Sequence, residues 1–262
     1  MENMKKSTSE LADILIKAHN ENQLIPILSA RASDIDVEAA YSIQKAYVEK
    51  RLNNEKIAGF KAGMTSESGQ RKFGLNAPVA GVLFTSGKKV NNATINQAMS
   101  KNLKVETEIG FVIGKTISKP VEDLAELQES IQAVMPVIEL PDLGFADMQA
   151  LKGVDIIAAN VAAAQFIVGQ EREVKDWDLN AISVTLTLND EQINSGKGTD
   201  AFGDQWKAAL WLVNTMLEQG WTMEPGHIFI TGVLGQMFPG NPGKYIADYR
   251  SFGKICFEIK GR

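Results

Sequence analysis

Apolar residues recur at helical spacing near the start of the chain, where Leu11, Ile14, Leu15 and Ala18 form one stripe. They predict a helix from Ser7 to about Asn20, and Ser7 with Glu10 has the spacing of a capping box. His19 falls in its last turn, where a cation suits the helix dipole. Leu24 to Ser29, with Pro26, is a connector. A second helix is predicted from Asp36 as N-cap to about Arg51, with Val37, Ala40, Ile43 and Tyr47 as its buried stripe. From Ile57 the period changes. Ile57 to Gly63 is short, apolar and punctuated by glycine, which predicts a strand with one lysine, Lys61, inside it. A helical turn or two is predicted over Glu67 to Phe73, then a loop from Asn76 to Gly87 carrying the apolar piece Val82-Leu83-Phe84.

The clearest alternation spans Leu103 to Ile113. Leu103, Val105, Thr107, Ile109, Phe111 and Ile113 share one face of a strand, and Lys104, Glu106, Glu108, Gly110 and Val112 share the other. A helix follows over Glu122 to Gln132, then an apolar strand from Val134 to Pro141 that contains Glu139. Pro136 removes a ladder donor and predicts an edge strand or a bulge there. Val154 to Val168 is almost wholly small and apolar. Ile182 to Asn194 alternates around Asn189-Asp190 and predicts a hairpin, followed by a loop at Ser195 to Gly198. Asp204 caps a helix that Gly220 ends. His227 to Thr231 is a strand running into Gly232-Val233-Leu234-Gly235, and Tyr245 to Lys260 forms two strands joined near Ser251-Phe252-Gly253. Strands recur without regular helix alternation, so the expected class is α+β with a mixed, curled sheet. Residues 1–55 form a helical segment packing on a body of 56–262, expected as one structural unit.

Composition narrows the function. A chain of 262 residues with 44% hydrophobic content builds a full core. Net charge is −5 with no run of Lys and Arg, which argues against nucleic acid as partner. No apolar stretch reaches the length of a membrane span. Lys5 and Lys6 precede the first helix, but Glu10 and Asp13 interrupt what would be a signal peptide's apolar region. Cys256 is the one cysteine, so no internal disulfide forms, and a reducing cytoplasm is the expected location. Only two histidines, His19 and His227, are present, and no Walker, dinucleotide or nucleophile-elbow pattern occurs.

Glu106, Glu108 and Glu139 are the first candidate constellation. Two carboxylates on neighbouring pleats stand about 6–7 Å apart along a strand. If that face is solvated, the pattern is an ordinary amphipathic strand. If it lines a cavity, the anions repel, and three carboxylates make an all-oxygen site suited to Mg²⁺ or Mn²⁺. Glu139, amid apolar neighbours, needs a partner or a function. Lys61 is either an edge-strand lysine that blocks aggregation or a cation that balances the carboxylates or binds an acidic substrate. Gly232 and Gly235 either make a turn or let backbone approach a ligand closely. Asp155 and Asn160 are either cavity residues or satisfied buried polar groups. His227 after Pro225-Gly226 reads as a turn imidazole.

Six segments occur in order: Gly59-Phe60-Lys61-Ala62-Gly63-Met64-Thr65, Val105-Glu106-Thr107-Glu108-Ile109, Pro136-Val137-Ile138-Glu139, Asn194-Ser195-Gly196-Lys197-Gly198, Thr231-Gly232-Val233-Leu234-Gly235, and Ser251-Phe252-Gly253-Lys254. Together they resemble the 2-keto-4-pentenoate hydratase / 4-oxalocrotonate decarboxylase group of the fumarylacetoacetate hydrolase superfamily. The resemblance implies a curled mixed β-sandwich or roll with an N-terminal helical cap, and a homo-oligomer. It implies Mg²⁺ or Mn²⁺ at Glu106, Glu108 and Glu139, with Lys61 as catalytic residue. Gly63, Met64, Asn160, Thr231 and Gly232 would contact a small 2-hydroxy-dienoate or its 2-oxo tautomer. Thr231 to Met237 resembles the hydratases' T-G-A-L-G-P-M more than the decarboxylases' T-G-G-I-T. A decarboxylase or a C–C hydrolase of the superfamily is the alternative. Val79 stands where the group usually has an acid, and Ala159 and Ala163 also depart from its pattern. A partner subunit in complex with a paired pathway enzyme, or a 2-oxo acid binding protein, is the alternative of another class.

Overall fold

The computed structural model describes residues 7–261, so Lys5 and Lys6 lie outside the described residues. Helix α1, Thr8–Asn20, begins with the capping box the sequence predicts: the Ser7 amide donates to Glu10 Oε2 at 2.7 Å and the Glu10 amide to Ser7 Oγ at 3.3 Å. Helix α2, Val37–Arg51, is capped by Asp36, which accepts the Ala39 amide at 2.8 Å. Its buried stripe is Ala40, Tyr41, Ile43, Gln44, Tyr47 and Val48, while Val37 in the first turn is exposed. Leu11, Leu15, Ile43 and Val48 of these helices share one apolar cluster with Phe60, Val82 and Ile109 of the body.

The remaining elements, in order, are β1 Ile57–Gly63, α3 Glu67–Lys72, β2 Val79–Phe84, β3 Lys88–Val90, β4 Ala93–Asn96, β5 Lys104–Ile113, α4 Leu124–Ser130 and β6 Ile131–Leu140. Then come α5 Gly153–Ala158, β7 Gln165–Val168, β8 Ser183–Leu188, β9 Glu191–Lys197, α6 Gln205–Glu218, β10 Ile228–Ile230, β11 Phe238–Pro239, β12 Gly243–Asp248 and β13 Lys254–Lys260. Two mixed sheets result. The larger runs β2-β1-β10-β5-β6-β7-β3, with β11 added against β5; the smaller runs β4-β13-β12-β8-β9. This is the α+β arrangement with mixed sheets that the strand pattern predicts.

The alternation along β5 sets which face each residue takes. Ile109, Phe111 and Ile113 enter the large cluster, which α6 covers through Leu212, Val213 and Met216. Val112 points the other way, into a smaller cluster with Met135, Val137, Ile228 and Ile230. Glu106, Glu108 and Gly110 share that second face.

Two local expectations differ from the structure, and a third is met in one of its two forms. Pro136 lies inside the sheet, in a strand paired on both sides. Of the two alternatives the edge position fails and the bulge holds: Val137 pairs with Val168 but Val134 pairs with Arg172, one extra residue on the β7 side, and between them the Pro136 carbonyl accepts the Gly169 amide at 2.9 Å. The predicted loop before Gly87 holds all of β2. Ser195 to Lys197 belongs to β9, because Gly196 admits the Leu234 backbone: a Cβ there would sit 2.3 Å from the Leu234 carbonyl carbon.

Candidate metal centre

Strands β5 and β6 pair antiparallel with Glu106 directly opposite Glu139. Glu108 is two residues along β5, so all three side chains leave one face together. One carboxylate oxygen from each lies within 4.8 Å of the others. Glu108 and Glu139 are buried and Glu106 is partly exposed. Burial first, then the charge on Glu139, raises the Glu106 carboxyl from 4.5 to about 8, against the pull of Lys61. Glu108 is pushed well above the ordinary range by burial, Glu139 and Glu106, more than Lys61 and a hydrogen bond from Gly232 offset.

Lys61 reaches the same point from β1. Its ammonium is buried, bonds directly to Glu139 Oε1, and donates to the Val161 carbonyl at 3.3 Å. Burial alone would lower its pKa, but Glu139, Glu106 and Glu108 together hold it above its ordinary value. The edge-strand reading is excluded, since β1 lies between β2 and β10. Two carboxylate oxygens, Glu108 Oε1 and Glu139 Oε2, are buried without a hydrogen-bond partner among the described residues. Orphaned anionic oxygens at this depth are costly unless a cation meets them. With hard oxygen donors, mutual repulsion and two free lone-pair sites, these residues fit a divalent cation.

The Gly232 amide donates to Glu108 Oε2 at 2.7 Å and so fixes which oxygen stays free. Gly232 has φ +115°, and a Cβ there would meet the Thr65 side chain at 2.6 Å, so glycine is required. Thr231 sits behind it: its hydroxyl donates to Gln205 Oε1 at 2.6 Å, and Gln205 Nε2 donates to the Gly198 carbonyl at 2.6 Å. Gly63 closes β1 against Val161, whose Cγ1 would lie 2.7 Å from a Cβ there. Met64 follows in the left-handed region, φ 53°, its carbonyl taken by Gln70 at 2.9 Å. Asn160 clamps β2: Oδ1 accepts the Val82 amide at 2.7 Å and Nδ2 donates to the Val82 carbonyl at 2.8 Å, leaving one amide proton over.

Asn160, Val161 and Ala162 form a single left-handed turn, φ 55°, 53° and 54°, without any glycine. Each such residue costs about 1–2 kcal/mol, and the turn aims the Val161 carbonyl at Lys61. Nothing in the local sequence announces it. Gln205 is equally hidden, reading as one polar residue in the first turn of a helix. Asp155 proves to be a satisfied buried group, accepting from the Ser29 amide and hydroxyl, both at 2.8 Å. His227 Nδ1 accepts the Glu224 amide at 3.0 Å, as a turn imidazole does. His19 lies in the last turn as predicted, with its pKa lowered by burial and then by Arg51 against the opposing pull of Glu55. A cavity of about 650 Å³ beside His19, Tyr47, Arg51 and Ala162, and one of about 530 Å³ beside Asn194, Asp200 and Gln236, are lined by residues other than Lys61 and the three glutamates.

The profile of the fumarylacetoacetate (FAA) hydrolase C-terminal family matches residues 67–256. A 2-keto-4-pentenoate hydratase of Paraburkholderia phymatum is 30% identical over 248 residues, covering 94% of both chains. One from Paraburkholderia xenovorans is 28% identical over 236 residues, covering 89% of this chain and 87% of the other. Among solved structures, 4-oxalocrotonate decarboxylase from Pseudomonas putida G7, complexed with magnesium and adipate, superposes with a TM-score of 0.90 at 22% identity, covering 97% of each chain.

Proposed function

Since the chain belongs to the fumarylacetoacetate hydrolase family, we propose that it is a divalent-metal-dependent hydro-lyase adding water to a 2-hydroxy-2,4-dienoate by way of its 2-oxo tautomer. The relatives' names support that substrate class. The observation that carries the reading is the pair of orphaned oxygens on Glu108 and Glu139, in a group of three glutamates that each bring one oxygen within 4.8 Å of the others. Glu106, Glu108 and Glu139 would hold Mg²⁺ or Mn²⁺. When bound, such an ion supplies the positive charge that lowers the cost of an enolate at C2.

The chain's own groups do the rest. Gly232 fixes one oxygen of Glu108, so the carboxylate is oriented before any ion arrives. Lys61 Nζ binds the substrate carboxylate or moves a proton, and burial strips it of competing water. Val79 and Ala159 carry no acid, whereas Lys61 meets the carboxylates directly through Glu139. In this proposal Gly63, Met64, Asn160, Thr231 and Gly232 would form the wall that substrate meets. A proton placed on C5 gives a conjugated 2-oxo-3-alkenoate, and water then adds its oxygen to C4 and a proton to C3. A homo-oligomer is part of the same proposal.

The test is loss of ultraviolet absorbance by a 2-hydroxy-2,4-dienoate with Mg²⁺ present, without CO₂ release, and stopped by chelation. No turnover across dienoates of different chain length would sink the reading. Release of CO₂ from a dicarboxylic substrate would replace it with the decarboxylase alternative.

A further inference from the structure

Tyr249 follows directly after β12 in the smaller sheet, yet its side chain ends on the larger one. Its ring is buried near Phe252, with ring centres 6.3 Å apart. Its hydroxyl accepts the Glu108 amide N–H at 3.0 Å and donates to the Val137 carbonyl at 2.7 Å, with the Glu108 carbonyl also at 3.0 Å. Glu108 and Val137 are directly opposite each other in the β5–β6 register, and Glu106 and Glu139 form the pair two steps along. One hydroxyl therefore grips the backbones of both strands that supply the carboxylates. Tyr249 belongs to the apolar cluster that contains Ile109, so it approaches β5 from the face opposite the glutamates.

We propose that Tyr249 is a positioning residue for the metal centre, setting the spacing and stagger of β5 and β6 and thereby the separation of the Glu106, Glu108 and Glu139 oxygens. The physical need is plain. Three carboxylates crowded within 4.8 Å repel, and the load falls on the strand pair that carries them. Metal donors must be held within about 0.5 Å of their working geometry. A hydroxyl bonded to both backbones beside Glu108 resists that load without occupying the centre, and it ties the centre to the smaller sheet.

The inference rests on reading the three glutamates as a metal site, and the experiment separates the two. Mn²⁺ binding is measured by calorimetry and by electron paramagnetic resonance for the unmodified chain, Tyr249→Phe, Glu108→Gln and Tyr245→Phe. Tyr249→Phe keeps the ring and deletes only the hydroxyl. Tyr245→Phe deletes a hydroxyl of the same sheet that bonds the Asn241 carbonyl at 2.7 Å, and serves as the control for a lost tyrosine hydrogen bond elsewhere. The expected result is Mn²⁺ affinity lowered about 10-fold or more in Tyr249→Phe, with a broadened Mn²⁺ spectrum, and no change in Tyr245→Phe. Replacing Tyr249 by p-aminophenylalanine, which restores a donor at the same place, should recover most of the affinity. Equal affinity and an equal spectrum in Tyr249→Phe would overturn the positioning role while leaving the metal site standing. No Mn²⁺ binding by the unmodified chain, or binding unaltered in Glu108→Gln, would overturn the metal site itself and the inference with it.

Discussion

At Lys61, burial and charge pull in opposite directions. Desolvation disfavours the ammonium, yet three nearby carboxylates demand it, and the balance leaves it charged. A buried charge whose partner is removed is worse than no charge at all. Lys61→Met should therefore destabilise the chelated protein by about 3–5 kcal/mol, because Glu139 loses its partner while Glu106 and Glu108 stay close. Saturating Mg²⁺ should restore a large part of that loss by supplying the missing positive charge. Denaturant melts with and without Mg²⁺ read both effects. A variant equally stable without metal would mean that Glu139 does not depend on Lys61 as its partner. Glu139→Gln should be milder in the same melts, since it removes one of the repelling anions. The identity of these residues was legible in the sequence: Glu106 and Glu108 alternate with apolar neighbours, and Glu139 interrupts an apolar run. Which of the two readings of Lys61 holds was not, because it depends on β10 lying between β1 and β5.

Elements position the centre from three sides. Strands β5 and β6 bring the carboxylates, β1 brings the lysine, and the left-handed turn at Asn160–Ala162 brings the carbonyl that shares it. The turn persists because Asn160 is bound twice to Val82 and the Ala162 carbonyl accepts the Asp142 amide at 3.0 Å. Asn160→Ala removes both bonds to β2 and leaves the Val82 amide and carbonyl unpaired in a buried place, at about 1–3 kcal/mol for each group. The expected outcome is a loss of at least 2 kcal/mol in denaturant melts, with Lys61 less well held and the rate on a dienoate reduced at saturating substrate. Unchanged stability would mean that the turn holds itself. Periodicity revealed most elements, from the capping box of α1 to the hairpin at Asn189-Asp190, where both residues adopt positive φ. It failed where conformation is imposed by distant contacts. The turn at Asn160 has no glycine to mark it, and Pro136 sits inside a sheet where the extra residue between Val168 and Arg172 is taken up beside it.

Across the whole molecule, the carboxylate cluster links stability to pH and metal together. The Glu106 carboxyl is raised in the folded chain from 4.5 to about 8, so the folded state binds a proton that the unfolded state releases. A group raised in this way contributes its stability below its unfolded value and loses it as pH rises through the folded value. Glu108 is shifted in the same direction. The chelated protein should thus become progressively less stable from about pH 5 to pH 8, with the stabilising proton gone above that window. A divalent ion competes for the same oxygens, so its binding displaces protons and strengthens as pH rises. At 100 times its dissociation constant the ion adds about 2.7 kcal/mol, which for a chain of this size is a rise of several degrees in Tm. The expected pattern in thermal melts from pH 5.5 to 8.5 is a falling Tm with chelator, a flatter Tm with Mg²⁺ or Mn²⁺, and a gap between the two that widens with pH. A gap that narrows toward alkaline pH, or a chelated protein that grows more stable there, would mean that Glu106 and Glu108 are already ionised without the metal and that some other group carries the compensating charge.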